Sequence, residues 1–248
     1  MAERAVQDRS RRRFVRRQWA RRWVTVRYVL VVVLVLGVVA FGIYGLYFSS
    51  WLRVEGGEIS GTSQLSETEV LDAAELPLDD PMVRVDLGEI EARIEARLTA
   101  VRSVDATRQW PHDIRIEIEE WQPLAVVTEG SAYTFLAESG DTFTFSSMPK
   151  NPPASLPRVV VGSDADRLAL EEAAAVVAAL DDAVTKLVDH VEVETADKIL
   201  LLLKDGSQVT WGSADQSDEK AEVLLRLLDA KPDAQAYDVS VPSLPTTK

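Results

Sequence analysis

Tyr28 to Leu52, a run of 25 residues without a single charge, constrains this chain more than any other feature. Within it Tyr28–Phe48 (YVLVVVLVLGVVAFGIYGLYF) is almost unbroken apolar side chain. As a helix, those 21 residues extend about 30 Å, the thickness of a bilayer's hydrocarbon core. Trp19, Trp23 and Tyr28 mark one margin and Tyr44, Tyr47, Phe48 and Trp51 the other, where amphipathic rings prefer the headgroup zone. The residues before the span hold ten Arg, among them Arg16, Arg17, Arg21, Arg22 and Arg27, against Glu3 and Asp8. That is a net of +8, which leaves -21 on the rest of a chain whose total is -13. Clustered Arg resists translocation. Residues 1–27 are therefore expected to form a basic cytoplasmic tail, 28–50 a transmembrane helix, and the chain beyond to lie outside the plasma membrane as a single-pass, type II protein. A cleaved signal peptide is the alternative, but its apolar core is usually about 7–15 residues, and no Ala-x-Ala site follows here. A nucleic-acid arm is the other reading of the Arg run; beside a span, retention and attraction to anionic lipid explain it more simply.

The chain has no Cys, which removes thiol nucleophiles, disulfides and cysteine metal sites together. His112 and His190 lie 78 residues apart, a poor basis for a metal centre. There is no Gly-x-Ser-x-Gly elbow, no phosphate-cradling Gly loop and no His-Glu-x-x-His. His112-Asp113 and Asp189-His190 are neighbours in sequence, yet successive strand side chains point to opposite faces, so adjacency aligns no catalytic base. Glu119-Glu120 and Asp79-Asp80 read as solvated charge. The expectation is no enzyme, no cofactor, no small-molecule substrate and no nucleic acid.

Residues 53–248 suit two domains better than one. Ser66-Glu67-Thr68-Glu69 is a capping box opening a short helix to about Glu75, and Pro77 stops it. A second helix follows Asp86, with Leu87, Ile90, Ile94 and Leu98 on one face and Glu91, Arg93, Glu95 and Arg97 on the wet one. Strands are expected at Arg53–Ser60, Val101–Arg108 and Asp113–Glu119, where Ile114, Ile116 and Ile118 alternate with charges. The order is β-α-α-β-β. Beyond Trp121 come strands at Leu124–Thr128, Ala132–Ala137 and Thr142–Phe145, a Pro-rich loop, and an Ala-rich helix capped by Ser163 or Asp164 and ending near Leu180. Val188–Val193, Ile199–Leu203 and Gln208–Trp211 read as further strands, with Ile199–Leu203 central and covered on both faces. A helix to about Lys231 and a short strand, Tyr237–Val241, complete an α+β fold with no internal repeat.

An N-terminal span, a β-α-α-β-β module and a mixed β domain in that order resemble the bacterial cell division family FtsQ/DivIB. The likeness rests on Ser66–Leu76, Val85-Asp86-Leu87, Arg108-Gln109-Trp110-Pro111, Gln122–Val127, Leu156-Pro157, Asp205–Gly212 and Tyr237–Pro242. It implies a POTRA domain over 52–120, a mostly antiparallel β domain with two helices over 121–242, and a tail at 243–248. The Tyr237–Pro242 ending looks actinobacterial. Where the family usually carries Glu-Arg before its x-Pro-Val step, this chain has Glu120-Trp121, which leaves any contact of that Arg open.

The resemblance implies an essential divisome scaffold that binds FtsB/DivIC-like and FtsL-like partners at the septum and helps assemble septal peptidoglycan synthesis. A strand at a sheet edge offers unpaired backbone groups to another chain, and Tyr237, Asp238, Val239, Ser240 and Val241 are the expected site, anchored by Tyr237 and the helix beside it. The competing reading packs Tyr237 into the protein's own core with Val239 and Val241. For the whole chain the alternative is a membrane-anchored sensor, or another extracytoplasmic interaction protein, built on the same module.

Overall fold

The structure is a computed structural model that describes residues 2–129, 132–162 and 165–248. One helix, α1 (Ala2–Phe48), carries the basic segment and the apolar run without a break. Its apolar part, Val26–Phe48, covers 23 residues and buries none of them in protein. Leu30, Leu34, Leu36 and Phe41 are all more than 60% exposed, as a helix that crosses a bilayer requires. The chain is a single-pass membrane protein. Arg16, Arg17, Arg21 and Arg22 lie on the same helix, N-terminal to the apolar part, and Arg27 is its second residue.

Outside the span, β1 (Gly56–Ser60), α2 (Glu67–Ala74), α3 (Leu87–Arg97), β2 (Val101–Gln109) and β3 (Asp113–Glu120) follow in the expected order. The strands form a three-stranded sheet, β1-β3-β2. The capping box is present: Glu69 N–H donates to the Ser66 hydroxyl, and Ser66 N–H donates to Glu69 at 2.9 Å. Ile114, Ile116 and Ile118 are buried, so the alternation in β3 does mark a core face. From the wet face of α3, Arg93 and Arg97 reach over to the last carbonyls of α2. Arg97 donates to Asp72 O and Ala73 O at 3.2 and 3.3 Å and to Glu75 Oε1 at 2.6 Å, satisfying acceptors a helix C-terminus leaves free.

The second sheet has nine strands in the order β12-β11-β10-β9-β8-β7-β4-β5-β6. These are β4 (Ala125–Glu129), β5 (Ala132–Leu136), β6 (Thr142–Phe143), β7 (Arg158–Val161), β8 (Val188–Thr195), β9 (Lys198–Leu203), β10 (Gln208–Gly212), β11 (Ala236–Asp238) and β12 (Thr246–Thr247). β7 is parallel to both β4 and β8, and β10 is parallel to β11; the other pairings are antiparallel. Among the described residues three helices accompany the sheet, the two expected, α4 (Arg167–Ala179) and α6 (Ser217–Ala230), and the single turn α5 (Asp182–Thr185). Ser163 and Asp164, the expected caps of α4, lie outside the described residues; the N-cap is Asp166, whose carboxylate accepts from Ala169 N–H at 2.9 Å. α4 packs on β8 and on α6, and the core there gathers Val176, Val191, Ile199, Leu201, Trp211, Leu224 and Tyr237. β9 is central in the sheet, but its burial alternates. Ile199, Leu201 and Leu203 are buried while Leu200 and Leu202 are only partly covered, so one face is sealed rather than two.

Contacts divide the chain into two compact units. One holds the chain up to Glu58 with Leu76–Leu87 and Thr107–Arg115; the other holds Ile59–Glu75, Gly88–Ala106 and Ile116–Lys248.

Candidate functional site

The expected binding strand is shorter than the sequence pattern and is not at the edge. β11 stops at Asp238 because the Asp238 carboxylate turns the chain, accepting from Ser240 N–H at 3.0 Å and from the Ser240 hydroxyl at 2.7 Å. On one side β11 pairs with β10, Val209 opposite Tyr237 and Thr210 opposite Asp238, and Val239 N–H continues to Thr210 O at 3.0 Å. On the other side it pairs with β12, Tyr237 opposite Thr247 and Asp238 opposite Thr246. Val241 O accepts from Leu244 N–H at 3.0 Å, and this turn brings the chain back along β11.

Tyr237 is therefore a core residue, 1% exposed, whose hydroxyl donates to Lys231 O at 2.7 Å beyond the end of α6. Burial, helped by the charges of Asp205 and Asp233, pushes the phenol's pKa above its ordinary value. Val239 is buried with it, while Asp238 and Ser240 are half-buried in their own turn. Only Val241 of the five is exposed. The expectation of an exposed aromatic anchor on an edge strand is corrected: alternation put Tyr237 and Val239 on one face, and that face is the core. The expected helix surface is partly core as well. α6 buries Ser217, Lys220, Ala221 and Leu224. Trp211 Nε1 donates to Ser217 Oγ at 3.0 Å, and Lys220 Nζ donates to Ser213 O at 2.8 Å. Burial lowers the Lys220 pKa, with Asp215 and Glu172 opposing.

The edge itself is β12, which the sequence pattern missed. Lys248 N–H donates to Ala236 O at 2.9 Å, and Ala236 N–H donates to Lys248 O at 3.1 Å, so these two residues are a hydrogen-bonded pair. Antiparallel pairs alternate, so Thr247, opposite Tyr237, turns its own N–H and C=O away from β11. Two residues earlier stands Pro245, which has no N–H to offer. Thr247 is thus the one outward backbone donor over Pro245–Thr247, and Val241 and Leu244, 51% and 76% exposed, are apolar surface close to it in the chain.

At the start of the same unit a different polar site forms. Glu120, expected to be solvated, is only 6% exposed. Its carboxylate accepts from Ser63 N–H and from the Ser63 hydroxyl, both at 2.8 Å, and from the N–H groups of Gln64 and Leu65, each at 3.0 Å. Burial alone would raise its pKa; the N–H groups of Leu65, Ser63 and Gln64 and the Ser63 hydroxyl outweigh it and hold the group below the usual range. The neighbouring Trp121 ring lies 5.4 Å from the Arg102 guanidinium, which also pairs with Glu119 at 2.9 Å. Among the described residues no cluster of His, Asp or Glu has the arrangement of a metal site.

The FtsQ-type POTRA domain family matches residues 53–121, and the family Cell division protein FtsQ/DivIB, C-terminal, matches residues 125–241. Cell division protein FtsQ of Streptomyces venezuelae is 39% identical over 223 residues, covering 86% of this chain and 80% of that one. This chain belongs to the FtsQ/DivIB family of cell division proteins. FtsQ of Streptomyces coelicolor is 37% identical over 87% of this chain and 84% of its own length, and FtsQ of Mycobacterium tuberculosis 35% over 87% and 67%. In this FtsQ/DivIB chain Trp121 precedes the Gln122-Pro123 step, with the Arg102 guanidinium over its ring.

Proposed function

We propose that this FtsQ/DivIB chain is a non-enzymatic scaffold of the divisome, oriented with its basic N-terminus in the cytoplasm. Outside the membrane it binds FtsB/DivIC-like and FtsL-like partners at the septum, and so helps assemble and regulate septal peptidoglycan synthesis. The observation that carries this reading is the family match along most of the chain's length. The partner contact is strand addition at β12, where Thr247 presents the free N–H and C=O, with Val241 and Leu244 offering apolar contact to the incoming side chains.

Proline at Asp238 would break a strand paired on both sides, so it tests folding rather than binding. Thr247→Pro is the cleaner test, because it removes only an outward N–H and leaves the bonds to β11 in place. Depletion of the protein is expected to give unseptated filaments that the wild-type chain rescues. Thr247→Pro, still stable and in the membrane, should rescue poorly and bind the partner's extracytoplasmic segment at least about tenfold more weakly, a loss of about 1.4 kcal/mol. Normal septation after depletion would overturn the scaffold reading; unchanged partner affinity would overturn the β12 contact alone.

A further inference from the structure

The unit that contains α1 also contains two loops from the chain outside the membrane, and their geometry points to a second membrane contact. Met82–Arg84 forms a single turn beside the end of α1, and the Arg84 guanidinium lies 5.4 Å from the ring of Tyr47, the last but one residue of the apolar span. Arg108 holds that turn to the end of β2, donating from Nε to Met82 O at 3.0 Å and from Nη2 to Val85 O at 2.6 Å. The turn after β2 is Trp110-Pro111-His112.

Its height above the membrane can be read from the ladder. Glu55 N–H donates to His112 O at 2.9 Å, and Arg115 pairs with Glu58 at 3.1 Å, so both strands advance three residues together and run the same way. The register therefore sets His112 level with Glu55, and the turn that carries Trp110 lies at the same end of β3, the end toward the span. Between Phe48 and Arg53 the chain makes only a short 3-10 turn, Ser50–Leu52, whose rise of about 2 Å per residue puts Arg53 roughly 10 Å beyond the apolar run. The polar interface extends about 5–7 Å beyond the hydrocarbon core on each side, so an indole at that level reaches it with its own side-chain length. At that level two Trp are exposed, Trp51 at 70% and Trp110 at 49%. Indole rings prefer this zone, because one edge is apolar and the N–H is wet.

We propose that Trp110 and Arg84, together with Trp51, seat this unit on the headgroup zone of the bilayer, so that the protein meets the membrane through a preformed surface as well as through its helix. The inference rests on α1 spanning the bilayer and not on partner binding. Charge does not drive the contact. Over the segments Arg53–Glu55, Asp79–Asp86 and Arg108–Asp113 there are three Arg against Glu55, Asp79, Asp80, Asp86 and Asp113, a balance that anionic lipid does not attract. The occupant is the interface of an uncharged phospholipid surface, entered by aromatic rings.

The chain has no Cys, so single labels can be placed without background. Trp110→Cys and Glu95→Cys would each carry a nitroxide in the full chain reconstituted into phosphatidylcholine nanodiscs. The expected result is an oxygen-to-nickel-chelate accessibility ratio several-fold higher at position 110 than at 95, unchanged by added salt. Equal ratios would overturn the seat, and a ratio at 110 that collapses with salt would overturn its aromatic basis. As a second reading that keeps the aromatic ring, brominated lipid should quench the wild-type chain more than Trp110→Phe, by about one Trp's share of the emission. Equal quenching counts against the proposal.

Discussion

Two aromatic residues of similar size behave in opposite ways, and the contrast shows what decides exposure in this molecule. Trp110 sits in a turn between two strands and is half exposed; Tyr237 sits in a strand one register step from Val209 and is 1% exposed. Sequence pattern alone favours Tyr237 as the binding residue, being on the last alternating strand of the chain. What reverses the order is pairing. Tyr237 has β10 on one side and β12 on the other, and its ring enters the core that Trp211 and Leu224 share. Trp110 stands in the turn after β2, outside the strand pairing of its sheet.

The comparison breaks most readily at Tyr237. Tyr237→Ala should cost about 3–5 kcal/mol of unfolding free energy in denaturant titration, because it opens a cavity and strands Lys231 O. A change below about 1 kcal/mol would return Tyr237 to the surface. Next comes Glu120→Ala, expected to cost about 1–3 kcal/mol by leaving the buried N–H of Leu65, and the part-buried N–H groups of Ser63 and Gln64, without their acceptor. The pH dependence has a definite sign. Glu120's folded pKa lies below its ordinary value, so its stabilisation is complete above about pH 4.3 and is lost as pH falls through the lower, folded-state value. The wild-type chain should therefore lose more stability than Glu120→Gln on acidification below that point, and parallel curves would show that the carboxylate carries no charge-dependent load.

Tyr237→Phe sharpens the contrast, since it removes only the hydroxyl, and should cost about 1 kcal/mol. Trp110→Ala is the smallest expected effect, within about 0.5 kcal/mol in the detergent-solubilised chain, because the ring is a surface group there. A loss of several kcal/mol at Trp110 would mean that its ring is structural and would erase the difference between the two sites.

Much of the fold was legible because the signals were local. The Ser66 capping box, the isoleucine alternation of β3 and the one-sided stripe of α3 each follow from contacts within a turn or a pleat, and the structure reproduces them. The strands at Val188, Lys198 and Gln208 were equally readable from β-rich runs broken by turn residues. β7 was not. Its four residues, Arg158–Val161, follow a Pro-rich loop and carry no clear period, and they become a strand only by pairing with β4 and β8, both about thirty residues away in the chain. β12 escaped for the same reason, since two threonines after a proline are no strand until Ala236 lies opposite Lys248.

The candidate site suffered most, because a site is a question of what remains unpaired. By itself the sequence determined the membrane span, the Ser66 cap of α2 and the core face of β3, since hydrophobic period and hydrogen-bonding caps act over a few residues. Only the tertiary structure decided that the face bearing Tyr237 is core, that Glu120 is buried, and that Thr247 holds the outward backbone donor at the C-terminal edge. Those outcomes depend on which distant segment lies alongside, and no local pattern encodes the neighbour.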